Sequence, residues 1–339
     1  MLWMMWKSVS KALDRMVIRQ ANAGVPYGRG HEHIVEASEL LRDPDFFCRF
    51  AESASALQFT GRRRFHFRSP VSTPWPENNT VFGQFYRSGG DWQTKPSVIL
   101  LHGWNGELGY RFQFPYLAWR LSRRGVNAAL IELPYHAQRK PTGAGVLQNF
   151  ISHDLLRMLE ATRQAIADTR ALTGWLLEQG SPCVGLLGFS LGGWLTGLVA
   201  GYDARVKFAV LTTPVVRLER AIAELPFCAP IRKSLGNSAL ALDPLNLVSL
   251  WPWSAPANVL LIESQHDQFA PAETIEEVWC AWGRPEIWRL PHGHISVLLS
   301  VPTMERIIRW IAKKAKVQSC TTALPAPARI ADLAMGIGE

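Results

Sequence analysis

No run of about 18 uninterrupted apolar residues, the length a membrane-spanning helix needs, occurs in this chain. The apolar start, Met1 to Trp6, stops at Lys7 and lacks a small-residue cleavage pattern, so it is not read as a secretory signal. Cysteine is scarce: Cys48, Cys183, Cys228, Cys280 and Cys320 are the five present, an odd number with no C-x-x-C spacing. That excludes a disulfide scaffold and points to a reducing compartment, so a cytoplasmic location is expected. Cys183 and Cys280 stand in apolar surroundings and read as core. Dense basic tracts are missing too. The formal net charge of +8 is spread over 339 residues, and the tightest cluster, Arg62-Arg63-Arg64, reads as a solvated strand edge. No nucleic-acid partner is expected. Neither His31 with His33 nor His292 with His294 has a third ligand at recognisable spacing, so no metal and no cofactor are expected.

What is there is a large apolar fraction, 47%, arranged in alternating short runs. Two early runs, Arg64 to Arg68 and Val81 to Tyr86, alternate in the manner of an antiparallel hairpin. From Pro96 onwards, apolar strands at Ser97 to Leu101, Val126 to Leu133, Pro182 to Leu187, Val206 to Leu211, Asn258 to Ile262 and Glu286 to Leu290 are separated by helical patterns. The helical patterns cover 109–124, 149–179, 191–201, 272–282 and 296–315. Such alternation predicts an α/β fold with a mostly parallel sheet covered on both faces. The pattern breaks once, at about 217–255, an insertion expected to cap the strand ends. The predicted organisation is an N-terminal helical extension over 1–60, an α/β domain over 61–316 and a mobile tail over 317–339.

Within the extension, Leu2, Trp6, Val9, Leu13 and Met16 recur at helical spacing, and Lys7, Lys11, Arg15 and Arg19 line another face. Residues 1–20 therefore form an amphipathic basic helix. Two placements compete: the apolar stripe packs on the main domain, or it lies on an anionic membrane surface with its tryptophans at the interface.

The chemistry concentrates in Gly188-Phe189-Ser190-Leu191-Gly192, a G-x-S-x-G between a strand and a helix. In that context the serine sits on a sharp turn and the glycines make room for it. A serine nucleophile needs a base, an acid that orients the base, and backbone donors for an oxyanion. On an open α/β sheet these must come from loops at the carboxyl ends of strands. The acid candidate is Asp267, with Glu263 as its rival nearer the strand. The base candidate is His294, with His292 two residues earlier. The expected oxyanion donors are the backbone N–H groups of Leu191 and of Trp104, the latter in the loop Leu101-His102-Gly103-Trp104. His102 reads as a structural residue whose ring bonds loop carbonyls.

With L-L-H-G-W-N-G at 100–106, G-F-S-L-G-G at 188–193, the Asp267 loop and Gly293-His294, the chain resembles the α/β-hydrolase superfamily over roughly 63–315. The resemblance implies a twisted sheet of about eight strands with Ser190 as nucleophile, His294 as base and Asp267 as acid. Ser264 stands where the acid loop of that family usually carries glycine, and His292 where Gly-Gly-His is common.

For the substrate, Trp194, Trp251 and Trp253 are the candidate binding residues, and Leu218, Ile222 and Leu225 share one face of the insertion. Aromatic and apolar walls suit an acyl chain, so a small-molecule or lipid ester is expected rather than a peptide. An acyltransferase using the same residues, or a non-catalytic binding protein on this fold, are the competing assignments. The sequence carries no sign of an oligomeric state.

Overall fold

Each central strand sends alternate side chains to opposite faces, and both faces are apolar. In Ser97–Leu101, Val98 and Leu100 join one core cluster while Ile99 and Leu101 join the other. The same split divides Ala128 and Leu130 from Ala129 and Ile131. A strand buried on both sides must be covered by helices on both sides, which is the architecture found.

The computed structural model describes residues 2–22, 34–43, 45–49, 53–54, 56–104, 106, 109–142, 150–152, 154–235 and 242–320. Its strands are β1 (Gln58–Thr60), β2 (Arg64–Arg68), β3 (Thr80–Tyr86), β4 (Ser97–Leu101), β5 (Asn127–Ile131), β6 (Val184–Phe189), β7 (Val206–Thr212), β8 (Val259–Ser264) and β9 (Glu286–Leu290). They form one nine-stranded sheet in the order β1-β2-β3-β5-β4-β6-β7-β8-β9. The β1, β2, β3 and β5 pairings are antiparallel. From β5 across β4 to β9 every pairing is parallel. The ninth strand, β1, is three residues long and, among the described residues, pairs with β2 alone; so short a segment carries no legible alternation.

Leu155–Glu178, Leu191–Tyr202 and Ala272–Ala281 cover one face, and Phe114–Ser122 and Val301–Cys320 the other. The segment expected as one helix over 109–124 opens instead with a π-turn, Gly109–Gln113, before Phe114–Ser122. The closing helix is divided into His294–Leu298 and Val301–Cys320, with Pro302 near the start of the second, where its missing N–H costs nothing. That helix runs past the expected boundary at 316 and buries Ala315; the rest of the expected tail, 321–339, lies outside the described residues. Cys183 is buried as expected, but Cys280 is exposed, because it falls on the outer side of Ala272–Ala281.

The N-terminal helix, Leu2–Asn22, packs on the domain, but not through its apolar stripe. Trp6, Val9 and Met16 are exposed, whereas Ser10, Asp14 and Ile18, spaced four apart, are buried. Hydrogen bonding selects the buried face. Asp14 accepts from the backbone N–H groups of Gln268, His294 and Ile295, and Ser10 Oγ lies 3.1 Å from Ser296 Oγ. Hydrogen bonds to a charged group contribute about 1.5–3 kcal/mol each, enough to set the helix rotation against a loosely packed apolar alternative.

Candidate active site

Strand order reverses at β4, which has β5 on one side and β6 on the other, both parallel to it. Loops leaving β4 and β6 therefore diverge and open a crevice at their carboxyl ends. Ser190 stands there, directly after β6, with φ +54° and ψ −116°. This is a costly backbone for a residue with a side chain. It is held because the Ser190 N–H donates to the Thr212 carbonyl at 2.9 Å and because the flanking glycines admit close contact. A β-carbon on Gly188 would lie 1.9 Å from the Gly192 carbonyl oxygen.

Two loops from the far half of the sheet reach Ser190. The β9 loop brings His294, whose Nε2 lies 2.7 Å from Ser190 Oγ. The β8 loop brings Asp267, whose Oδ2 lies 2.7 Å from His294 Nδ1. Oδ1 of Asp267 accepts from the Phe269 and Ala270 N–H groups, both at 2.7 Å, which fixes the carboxylate. The Phe269 ring lies against the imidazole at 4.6 Å. Burial opposes protonation of His294. The Asp267 charge, the hydrogen bond to it and the Asp14 charge prevail, and the imidazole pKa is raised above its ordinary value.

The rivals lie elsewhere. Glu263 ends in a cluster with Glu276 and Arg289, its carboxylate 3.9 Å from Arg289; burial and the Glu276 charge push its pKa up to about 7. His292 is half-buried away from Ser190, its ring edge-on to Trp6 of the N-terminal helix at 5.8 Å. His102 is structural: its Nε2 accepts from the Leu133 N–H at 3.0 Å and its Nδ1 lies 2.8 Å from the Gly103 carbonyl. Only a neutral ring protonated on Nδ1 satisfies both, and burial lowers its pKa to about 4.

Leu191 opens the helix after Ser190, where helix geometry leaves an N–H without an intrahelical acceptor. The β4 loop runs beside the serine, since a β-carbon on Gly103 would lie 3.4 Å from that of Ser190. Trp104, next in that loop, lines the same cavity.

That cavity measures about 500 Å³. Trp194 lines it and is anchored by its indole N–H, which donates to the Leu245 carbonyl at 2.8 Å. The insertion's helices, Leu218–Glu224 and Ala229–Leu235, supply Leu218, Ile222 and Ile231 to the wall. Among the described residues lining it there is no Asp, Glu, Lys or Arg; the polar side chains are those of Gln113, Ser190 and His294. Trp251 and Trp253 do not line the cavity, contrary to expectation. By then the chain has descended to the opposite end of the sheet. Trp251 lies against Gly283 in the turn before β9, and the Trp253 N–H donates to the Ala200 carbonyl at the far end of the helix that Ser190 begins.

Sequence reasoning missed Phe150, Met158 and Val17, which line the cavity, and Asp14, which touches both loops. The only signal for Asp14 was its standing as the single acidic residue of a basic helix.

The chain is 16% identical to the acetyl xylan esterase from Paenibacillus sp. R4, with a TM-score of 0.52 over 86% of this chain and 98% of that one. It is 12% identical to Est1E from Butyrivibrio proteoclasticus with bound ferulic acid, with a TM-score of 0.51 over 71% and 96% of the two chains. These likenesses establish the fold. In sequence it is 28% identical, over 220 residues, to the uncharacterized protein Rv2627c of Mycobacterium tuberculosis. The match takes in 62% of this chain and 52% of the relative, so the chain spans about half the length of the curated relatives it matches. The family model described as alpha/beta hydrolase domain containing 18 matches residues 62–246, which takes in Ser190 and the β4 loop and stops short of Asp267 and His294. With more than half of its length matched and an α/β-hydrolase sheet beneath it, the chain belongs to that family.

Proposed function

We propose that this protein is a serine hydrolase that cleaves a carboxylic ester with an apolar acyl group, a lipid acyl ester being the favoured class. The observation that carries the reading is the continuous hydrogen-bonded line from Ser190 Oγ through His294 to Asp267, at 2.7 Å in each step. Ser190 Oγ attacks the ester carbonyl carbon while His294 Nε2 takes its proton. Asp267 holds the ring and offsets the charge it gains. The oxyanion is assigned to the Leu191 and Trp104 N–H groups. His294 then gives its proton to the departing alcohol, leaving an acyl-enzyme on Ser190. Water attacks this ester as His294 takes up a proton again, and the acid and free serine are released.

The acyl assignment is supported by a cavity wall with no Asp, Glu, Lys or Arg among its described residues, which would leave a charged acyl group unpaired. The exposed Trp6, Val9 and Met16 beside Arg15 and Arg19 support peripheral contact with an anionic membrane surface.

Hydrolysis of a nitrophenyl ester series of rising chain length tests the reaction. Turnover that rises from acetyl to medium chains and vanishes in Ser190→Ala is expected; no turnover of any ester ends the reading. Co-sedimentation with anionic vesicles tests the surface: Val9→Glu with Met16→Glu should abolish it, and equal binding by wild type and variant removes that assignment.

A further inference from the structure

One residue that bridges the two loops of the site comes from neither of them. Asp14, on the N-terminal helix, is fully buried. Its Oδ2 accepts from the His294 N–H at 2.9 Å and the Gln268 N–H at 3.1 Å, and its Oδ1 from the Ile295 N–H at 3.0 Å. One carboxylate thus grips the backbone of His294 itself and the residue directly after Asp267. The contact is close-fitted. A β-carbon on Gly293 would lie 2.9 Å from Asp14 Oδ2 and 3.0 Å from the Ser10 carbonyl oxygen. Glycine before His294 is what lets the helix come down onto the loop.

We propose that Asp14 is a positioning residue for the serine hydrolase described above: it sets the spacing of the His294 and Asp267 loops, so the N-terminal helix is part of the working site. The proposal rests on the hydrolase reading. Its chemical basis is that a base must stand within a fraction of an ångström of its place. The His294 loop is tied to the Asp267 loop by the His266 N–H, which donates to the His292 carbonyl at 2.9 Å, and by the His294–Asp267 side-chain contact; past His292, the backbone N–H groups of His294 and Ile295 are held by Asp14. Val17, one turn further along the same helix, lines the cavity, so the helix shapes both the chemistry and the acyl wall.

The charge of Asp14 also acts on His294. The groups facing the imidazole are Asp267, Ser190 and the Phe269 ring, with Asp14 behind its backbone. Asp267 and Asp14 both favour the protonated ring. On Asp14 burial is the largest influence and raises its pKa; the hydrogen bonds from the Ile295 and His294 N–H groups lower it, the Asp267 charge raises it and the His294 charge lowers it. A packing role alone would leave the titration of His294 unchanged when the Asp14 charge is removed.

The test is the rate at which a fluorophosphonate labels Ser190, measured from acid to alkaline pH on protein shown to be folded by circular dichroism. Asp14→Asn keeps the size of the side chain but removes the charge and turns a donor toward an N–H. It should label at least about tenfold more slowly at every pH, with its acid limb moved to lower pH. A second variant, Ser10→Leu, leaves Asp14 intact and wedges the helix away from Ser296, whose Oγ is 3.1 Å from Ser10 Oγ. It should slow labelling in the same way if Asp14→Asn fails to fold. Labelling at the wild-type rate, with the wild-type acid limb, in either folded variant overturns the proposal. Absence of labelling in the wild type strikes the hydrolase reading instead, and the positioning role falls with it.

Discussion

Gly192 lies against Leu101: a β-carbon on Gly192 would fall 2.0 Å from the Leu101 carbonyl oxygen. This contact seats the first turn of the helix after Ser190 on the end of β4, and it places the serine beside the loop that carries Gly103 and Trp104. Gly192→Ala must therefore separate the two or distort both. Overpacking of this kind costs about 1–3 kcal/mol, and here the obstacle is backbone. A lowered Tm with loss of Ser190 labelling is expected. Gly90→Ala, whose β-carbon meets nothing within 4 Å, serves as the control and should change neither.

The choice between the two acidic candidates has a direct kinetic reading. Asp267 contacts the imidazole, whereas Glu263 is held by Arg289 and Glu276. Asp267→Asn should lower kcat for ester hydrolysis by about four orders of magnitude, since an amide favours the wrong imidazole tautomer. Glu263→Gln should leave it near the wild-type value. Equal losses in the two variants would reverse the assignment.

The pH dependence follows from His294, whose pKa is raised from the ordinary value of 6.5. In the proposed mechanism the neutral ring is the working base, so the rate is full above the raised pKa and is lost as pH falls through it. The acid limb of kcat/KM should have its midpoint above 6.5. The same shift makes a stability contribution of the opposite sense. It is fully present below the unfolded pKa and disappears as pH rises through the folded one. An acid limb centred below 6.5 contradicts the environment described for this ring.

If the protein hydrolyses the proposed acyl esters, the cap wall sets their chain length. Ile222 is buried and faces the cavity from the helix Leu218–Glu224. Ile222→Trp should fill space that a long acyl chain needs, lowering kcat/KM for long-chain nitrophenyl esters while sparing acetyl esters. A uniform loss across the series would mean that this wall does not contact the acyl group.

Local signals made much of the fold and site legible in advance. Strand and helix runs read true where an apolar period was long, as in Val184–Phe189 followed by Leu191–Tyr202. Ser190, Asp267 and His294 were legible because each stands in a short loop just past a strand that the apolar pattern locates. Three-residue β1 carries too little pattern to be seen. The N-terminal helix was legible, but its rotation was not, since the buried face is chosen by backbone N–H groups more than 250 residues away in sequence. Trp251 and Trp253 misled because composition says nothing about which end of a sheet a returning chain has reached.

An activated Ser190 Oγ should react covalently with a fluorophosphonate. Mass spectrometry of the folded wild-type protein after exposure to that reagent reads this reactivity at the residue. One covalent adduct is expected, on the peptide containing Ser190, and it should be absent from His294→Ala and from heat-denatured protein. An unmodified Ser190 in folded protein, or an adduct that forms equally well without His294, would contradict that activation.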